Sequence, residues 1–156
     1  MPLIQKFLKF WDETILEDNQ KYAELEIEEI SHLFRYWLHN NSTINTNANN
    51  KRKEKYLLKE SRLLDILVYF HPELEIGEQK YVYHVRNLLW DKDMDIENAL
   101  NHMDVQSEWD SYNEVGSSSA LDEIYSQYCN FYTNQANEHK SLLVSKSYFI
   151  KYLESR

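Results

Sequence analysis

The sequence predicts a mainly α-helical protein with one small β element, and three observations lead to this fold class. The 156 residues include only 2 glycines and 2 prolines, whereas the tight turns of β-hairpins usually need glycine. Apolar residues recur at helical spacing through most of the chain. A hydrophobic content of 42%, with 14% aromatic residues, is sufficient for a buried core.

Two amphipathic helices are predicted near the start of the chain. The first covers roughly residues 2–17, where Pro2 suits a first-turn position. The second carries apolar residues from Leu25 to Leu38, and its glutamate-rich first turn complements the helix dipole. The tract HNNSTINTNANN at 39–50 has no apolar periodicity, so we predict a solvated, disordered loop there.

The middle of the chain predicts a third helix and the β element. The helix covers about residues 56–70 and stops before Pro72, because the residue preceding proline is pushed out of the α region. The Tyr- and Val-rich segment at 78–85 alternates and is the best strand candidate. We expect the segment ELEI at 73–76 to pair with it through a turn at Gly77.

The C-terminal part predicts three further helices. One begins at about Asp93, and the segment EVGSSSA at 114–120 is the clearest loop. A second helix follows with a strong apolar and tyrosine stripe between residues 121 and 132. Ser145 then N-caps the final helix. That helix places three apolar residues on one face: Phe149, Tyr152 and Leu153.

These elements suggest two segments that share one core. Residues 1–110 form a helical domain containing the loop at 39–50, and residues 118–156 form a helix-loop-helix segment.

The net charge is −9, but residues 51–62 carry 6 basic and 2 acidic side chains. A second basic island lies at 140–156. An acidic chain disfavours general coating of nucleic acid, although a local basic patch can still bind phosphates.

Enzyme motifs are missing from the sequence. There is no GxxxxGK[ST] and no GxGxxG, and two isolated glycines cannot build either phosphate-binding loop. The single Cys129 excludes an internal disulfide framework. The sequence contains no run of about 18 apolar residues, so it predicts no membrane span. We therefore predict a protein without catalysis, cofactor or membrane association.

Two acidic motifs suggest metal sites, but both have simpler interpretations. Asp91, Asp93 and Asp95 have the spacing of an EF-hand loop, but Ile96 and His102 replace its required Gly and Glu. We interpret these aspartates as residues that complement a helix N-terminus. Glu29 and His32 form a single Glu-x-x-His unit, which di-iron bundles need twice. We interpret this pair as a surface pair and predict no metal.

Tyr81 and Tyr83 in the strand candidate allow two interpretations. Aromatic residues on a strand can stack nucleic-acid bases. They more often pack in a core or against a neighbouring strand. We favour packing for both side chains.

The pattern across 121–153 resembles the C-terminal winged-helix-like segment of primase–helicases of phages, plasmids and large DNA viruses, the poxvirus-type group. Seven residues carry the resemblance: Leu121, Tyr125, Tyr128, Phe131, Ser145, Phe149 and Leu153. The family's motor and primase motifs are absent, no wing follows the last helix, and the linker is longer than a simple helix-turn-helix turn. The resemblance implies a non-catalytic accessory domain of a giant-virus DNA-replication primase–helicase. It also implies an intracellular location, at a viral replication site in the host cytoplasm.

The resemblance also implies where nucleic acid would bind. The final helix would bury Phe149, Tyr152 and Leu153 against the tyrosine stripe, which leaves its basic side free for a phosphate backbone. The candidate nucleic-acid-binding residues come from both basic islands: Lys146, Ser147, Lys151, Lys51, Arg52, Lys53 and Lys55. The expected partners are nucleic acid, the parent helicase or replication proteins. The alternative is a helical protein–protein interaction or assembly module that does not bind nucleic acid.

Overall fold

A computed structural model describes residues 2–41, 58–134 and 142–156. It confirms the mainly helical class with a small β element. Its contacts divide the chain into two compact units, Met1–Trp90 and Asp91–Arg156. This division lies earlier in the chain than the boundary expected between 110 and 118, because the helix that begins after Asp91 packs against the tyrosine-rich helix of the C-terminal segment. No described helix is long and apolar enough to cross a membrane.

The described part of the first unit contains three α-helices, four short strands and a tight turn. Their bounds are α1 (Leu3–Thr14), β1 (Ile15–Glu17), β2 (Glu24–Glu26), α2 (Ile27–Asn41), α3 (Glu60–Phe70), the turn Glu78–Lys80, β3 (Tyr81–Tyr83) and β4 (Val85–Asn87).

Strand pairing in the first unit is long-range. β1 pairs antiparallel with β4, and β2 pairs antiparallel with β3 so that Leu25 lies opposite Val82. The expected pairing of 73–76 with this strand is also present in part: Ile76 forms an antiparallel bridge with Val82. The Gly77 N–H donates to the Tyr81 carbonyl and the Tyr83 N–H donates to the Glu75 carbonyl, both at 2.9 Å. β3 therefore pairs both with the local segment and with β2, a long-range partner that the sequence did not predict. Leu25 and Val82 are both buried in this arrangement.

The same pairing shortens the first helix. α1 ends at Thr14 rather than near residue 17, because Ile15–Glu17 joins β4 as a strand. Two hydrogen bonds fix this junction: the Thr14 hydroxyl donates to the Phe10 carbonyl at 2.6 Å, and the Leu88 N–H donates to the Thr14 carbonyl at 2.7 Å.

An aromatic cluster forms the core of the first unit. The Phe34 ring of α2 lies 5.1 Å from Phe7 and 5.3 Å from Phe10 of α1, between ring centroids. Trp37 lies 6.0 Å from Phe10. All four rings are buried, and aromatic pairs at such distances stabilise a core beyond their buried area.

The ends of α2 and α3 differ from the sequence prediction. The Glu29 carboxylate accepts a hydrogen bond from the Glu26 N–H at 3.1 Å, half of a capping box. α2 continues to Asn41, so the predicted loop cannot begin at residue 39, and residues 42–50 lie outside the described parts. Residues 56–57 also lie outside them, and α3 begins at Glu60.

The second unit consists of four helices within its described residues. They are α4 (Lys92–His102), α5 (Gln106–Val115), α6 (Ser118–Asn134) and α7 (Lys146–Ser155). The sequence did not predict α5, which buries none of its residues and so gives a weak apolar pattern. The loop predicted at 114–120 is reduced to Gly116 and Ser117, with Gly116 in the left-handed conformation at φ 65° that ends α5.

Candidate functional site

The C-terminal helix α7 is built as the sequence predicts. The Ser145 hydroxyl accepts a hydrogen bond from the Tyr148 N–H at 3.3 Å, which confirms it as the N-cap. Phe149 and Leu153 are buried as expected, whereas Tyr152 is only half-buried. Tyr148, which the sequence did not place in the core, is buried at 4% exposure.

Phe149 anchors α7 to the tyrosine stripe of α6. Its ring centroid lies 5.4 Å from Tyr125 and 5.0 Å from Tyr128. Tyr132 extends the stripe through its contact with Tyr128 at 5.3 Å. The predicted packing of α7 against Tyr125 and Tyr128 is therefore confirmed.

Two tyrosine hydroxyls hold the extended segment that leads into α7. Tyr125 donates to the Val144 carbonyl at 2.7 Å, and the Val144 N–H donates to the Tyr128 hydroxyl at 2.9 Å. Both backbone groups of buried Val144 are thereby satisfied. Burial is the main cause that raises the pKa of Tyr128, so this hydroxyl stays protonated at neutral pH.

The opposite side of α7 carries the predicted phosphate-binding residues. Lys146, Ser147 and Lys151 are all exposed. Lys146 forms an ion pair with Asp122 of α6. An acidic side chain thus lies directly beside the first residue of the candidate site.

Further carboxylates surround α7 and bind tyrosine hydroxyls. Tyr148 donates to Asp93 at 2.6 Å, and Tyr152 donates to Glu97. Burial, followed by the hydrogen bond to Glu97, raises the pKa of Tyr152. The Arg156 guanidinium also contacts Glu97, at 3.0 Å. The sequence did not predict this acidic and aromatic rim.

The basic island predicted at 51–62 belongs to the first unit. Lys51, Arg52, Lys53 and Lys55 lie outside the described residues. Its last part is described: Lys59 and Arg62 are exposed at the start of α3.

A polar pocket of about 420 Å³ lies beside the start of α3 in the first unit. Three of its residues are basic and one is acidic, with two serines and one leucine. They are Ser31, Arg35, Leu58, Lys59, Glu60, Ser61 and Lys80. The sequence did not single out Arg35 or Lys80, because residues so far apart in the chain show no pattern before folding brings them together.

The acidic motifs of the sequence have structural roles. Asp91 caps α4 by accepting a hydrogen bond from the Met94 N–H at 3.0 Å, and Asp93 and Asp95 lie in the first turn, which confirms their interpretation as helix-start residues. Glu29 is buried, so the interpretation of Glu29 and His32 as a surface pair is wrong: Glu29 caps α2 instead. No group of three or more His, Cys, Asp or Glu residues in the described ranges could hold a metal ion.

The two strand tyrosines pack within the first unit. Tyr81 is buried and its ring lies 6.3 Å from that of Tyr83. The Tyr83 ring also fills the space beside Gly77 where any side chain would project. The packing interpretation is confirmed.

In comparisons with known proteins, no family model, no curated protein and no solved structure matches this chain.

Proposed function

We propose that this protein is a non-catalytic accessory module of a viral DNA-replication primase–helicase and that it contacts nucleic acid through α7. One observation carries the proposal. The buried face of α7 is fixed by Phe149 and its ring contacts, while Lys146, Ser147 and Lys151 remain exposed on the helix. A rigid helix with exposed lysine and serine side chains is suited to phosphate contacts, which position a protein on nucleic acid without reading its sequence.

The ion pair at the start of α7 does not prevent phosphate binding. Lys146 and Asp122 have side-chain exposures of 48% and 57%, and an exposed pair of this kind contributes only about 0–1 kcal/mol. A phosphate can therefore replace Asp122 as the partner of Lys146 at small cost. The surrounding carboxylates would still make the binding weak and strongly dependent on salt.

The second candidate function is docking to another protein. Residues 91–156 carry 12 acidic and 5 basic side chains, a formal charge of −7. Glu97 and Asp93 hold tyrosine hydroxyls beside α7, so this rim combines charge with aromatic surface. Such a surface fits a basic protein partner, because complementary charges accelerate and orient association.

Binding to short single- and double-stranded DNA over a salt series tests the first function. We expect Lys146→Ala combined with Lys151→Ala to weaken binding to all sequences alike and to lower the slope of log K against log salt by roughly 2. The matched control is Lys9→Ala with Lys21→Ala, which removes two exposed lysines from the first unit.

Three outcomes would reject nucleic-acid binding by α7: no affinity of the wild type for DNA at low salt, an unchanged slope in the α7 variant, or an equal loss in the control variant. The docking function would then account better for the acidic rim.

A further inference from the structure

We propose that the pocket beside the start of α3 binds a phosphate monoester, a ligand that the proposed function does not assign to it. The site belongs wholly to the first unit and uses none of the α7 residues. Four features of its lining lead to this ligand: backbone donors, a buried hydroxyl, three cations and the net charge.

The backbone donors come from the N-terminus of α3. Lys59 is the N-cap and supplies no side-chain cap, and the first N–H with an intrahelical acceptor is that of Leu63, which donates to the Lys59 carbonyl at 3.0 Å. The N–H groups of Glu60, Ser61 and Arg62 therefore have no acceptor within the helix. Such N–H groups, aligned with the positive end of the helix dipole, bind anions.

Ser31 supplies a hydroxyl to the pocket from a largely buried position. It lines the pocket from α2 with only 7% of its surface exposed. Its hydroxyl is not one of the buried side-chain atoms that lack a partner in the described residues, so it is open to the pocket. A phosphate oxygen in the pocket can accept a hydrogen bond from this hydroxyl in place of water.

Three cations converge on the same pocket. Arg35 follows Ser31 by one helical turn, so both project from the same face of α2. Lys80 comes from a turn in which Gln79 and Lys80 have positive φ values of 59° and 63°, an unfavourable conformation for residues other than glycine. Within the described parts of the chain, Arg35, Lys59 and Lys80 form no ion pairs.

The charge of the lining favours a monoester over a diester. Three cations and the Glu60 carboxylate give a formal excess of two positive charges. A monoester carries close to two negative charges at neutral pH and offers three terminal oxygens, each a strong acceptor. A diester carries one charge and offers only two such oxygens, so it would leave donors of this pocket unsatisfied.

Calorimetric titration of the full chain with methyl phosphate tests the site. We expect binding in the millimolar range or tighter, weakened at least about tenfold by Arg35→Gln, since hydrogen bonds to charged groups are the strong ones. Ser31→Ala should weaken binding by a smaller factor. Arg62→Gln is the matched control, because Arg62 lies in the same turn of α3 but does not line the pocket; it should change affinity less than about twofold.

Further measurements distinguish the possible sources of the phosphate and check that each variant is folded. Dimethyl phosphate should bind more weakly than methyl phosphate. If a 5′-phosphorylated oligothymidylate binds tighter than its unphosphorylated form, and Arg35→Gln removes the difference, the source of the phosphate is a nucleic-acid end. If only methyl phosphate binds, the source is a small phosphorylated molecule. Circular dichroism must show that each variant folds.

Three results would overturn the proposal. These are no binding of methyl phosphate at low salt, equal binding of dimethyl phosphate, or an equal effect of Arg62→Gln and Arg35→Gln in folded protein. None of them depends on Lys146 or Lys151, so the pocket and the α7 function can fail independently.

Discussion

The two units of this protein use aromatic residues in different ways. In the first unit, the rings of Phe10, Phe34 and Trp37 pack on each other, and only the Trp37 ring among these three carries a polar group, which donates to Glu13 at 3.3 Å. In the second, tyrosines do the packing, and the hydroxyls of Tyr125 and Tyr132 bond to backbone carbonyls at 2.7 Å. The rings of the first core are mostly without polar groups, whereas the tyrosine rings of the second carry hydroxyls that need hydrogen-bond partners.

Charge follows the same division. Residues 1–90 carry 14 acidic and 12 basic side chains, against 12 and 5 for residues 91–156. Among the described residues, three of the eight lysines and arginines of the first unit line the pocket beside α3, whereas in the second unit carboxylates lie around α7. A phosphate ligand therefore finds a weaker repulsive field in the first unit.

Removing one ring from each core should produce the largest effects. Phe34→Ala and Phe149→Ala should each cost about 3–5 kcal/mol of unfolding free energy, because both side chains are fully buried. Hydrogen exchange read by mass spectrometry should show the greatest loss of protection around α1 and α2 for the first variant and around α6 and α7 for the second. Equal loss throughout the chain from both variants would contradict two separate cores.

Gly77→Ala probes the packing of the first unit more finely. The added methyl would occupy the place of the Tyr83 ring, and such overpacking costs roughly 1–3 kcal/mol. Urea unfolding should show this loss, and Tyr83→Ala in the same chain should recover much of it, since residues in contact are not additive. Strict additivity of the two substitutions would mean that the ring does not meet the new side chain.

The sequence could predict the second unit better than the first, for a physical reason. The α6 stripe and the Ser145 cap are local patterns, and both correctly indicated how α7 packs. The pairing of β1 with β4 joins Leu16 to Arg86, which no local pattern records. The pocket follows from the same long-range folding, since it brings Lys80 to Arg35 and Lys59.

Alkaline pH should lower the stability of the tyrosine-rich second unit, an effect of intermediate size among these predictions. Burial raises the pKa values of Tyr128 and Tyr132 in the folded second unit above the usual value near 10. The folded state therefore holds protons that the unfolded chain releases, so their stabilising contribution is complete below about pH 10 and declines as pH rises toward the folded-state values.

Urea unfolding between pH 8 and pH 11 measures this decline. For Tyr128 alone the loss approaches about 1.4 kcal/mol per pH unit above pH 10. Tyr128→Phe should flatten the dependence, although it also removes the acceptor of the Val144 N–H and so lowers stability at neutral pH. An unchanged pH dependence in this variant would show that Tyr128 does not contribute to it.

The smallest effect is expected at the ion pair between Lys146 of α7 and Asp122 of α6, where an acidic side chain contacts a candidate DNA-binding residue. A double-mutant cycle of Lys146→Ala and Asp122→Asn should give a coupling energy below about 1 kcal/mol, because both side chains are half-exposed. Added salt should reduce it further, as screening weakens exposed pairs. A coupling above about 2 kcal/mol would mean that the pair stabilises the fold strongly, as buried pairs can. Lys146 would then be unavailable to phosphate, and the acidic rim would become the functional surface of α7.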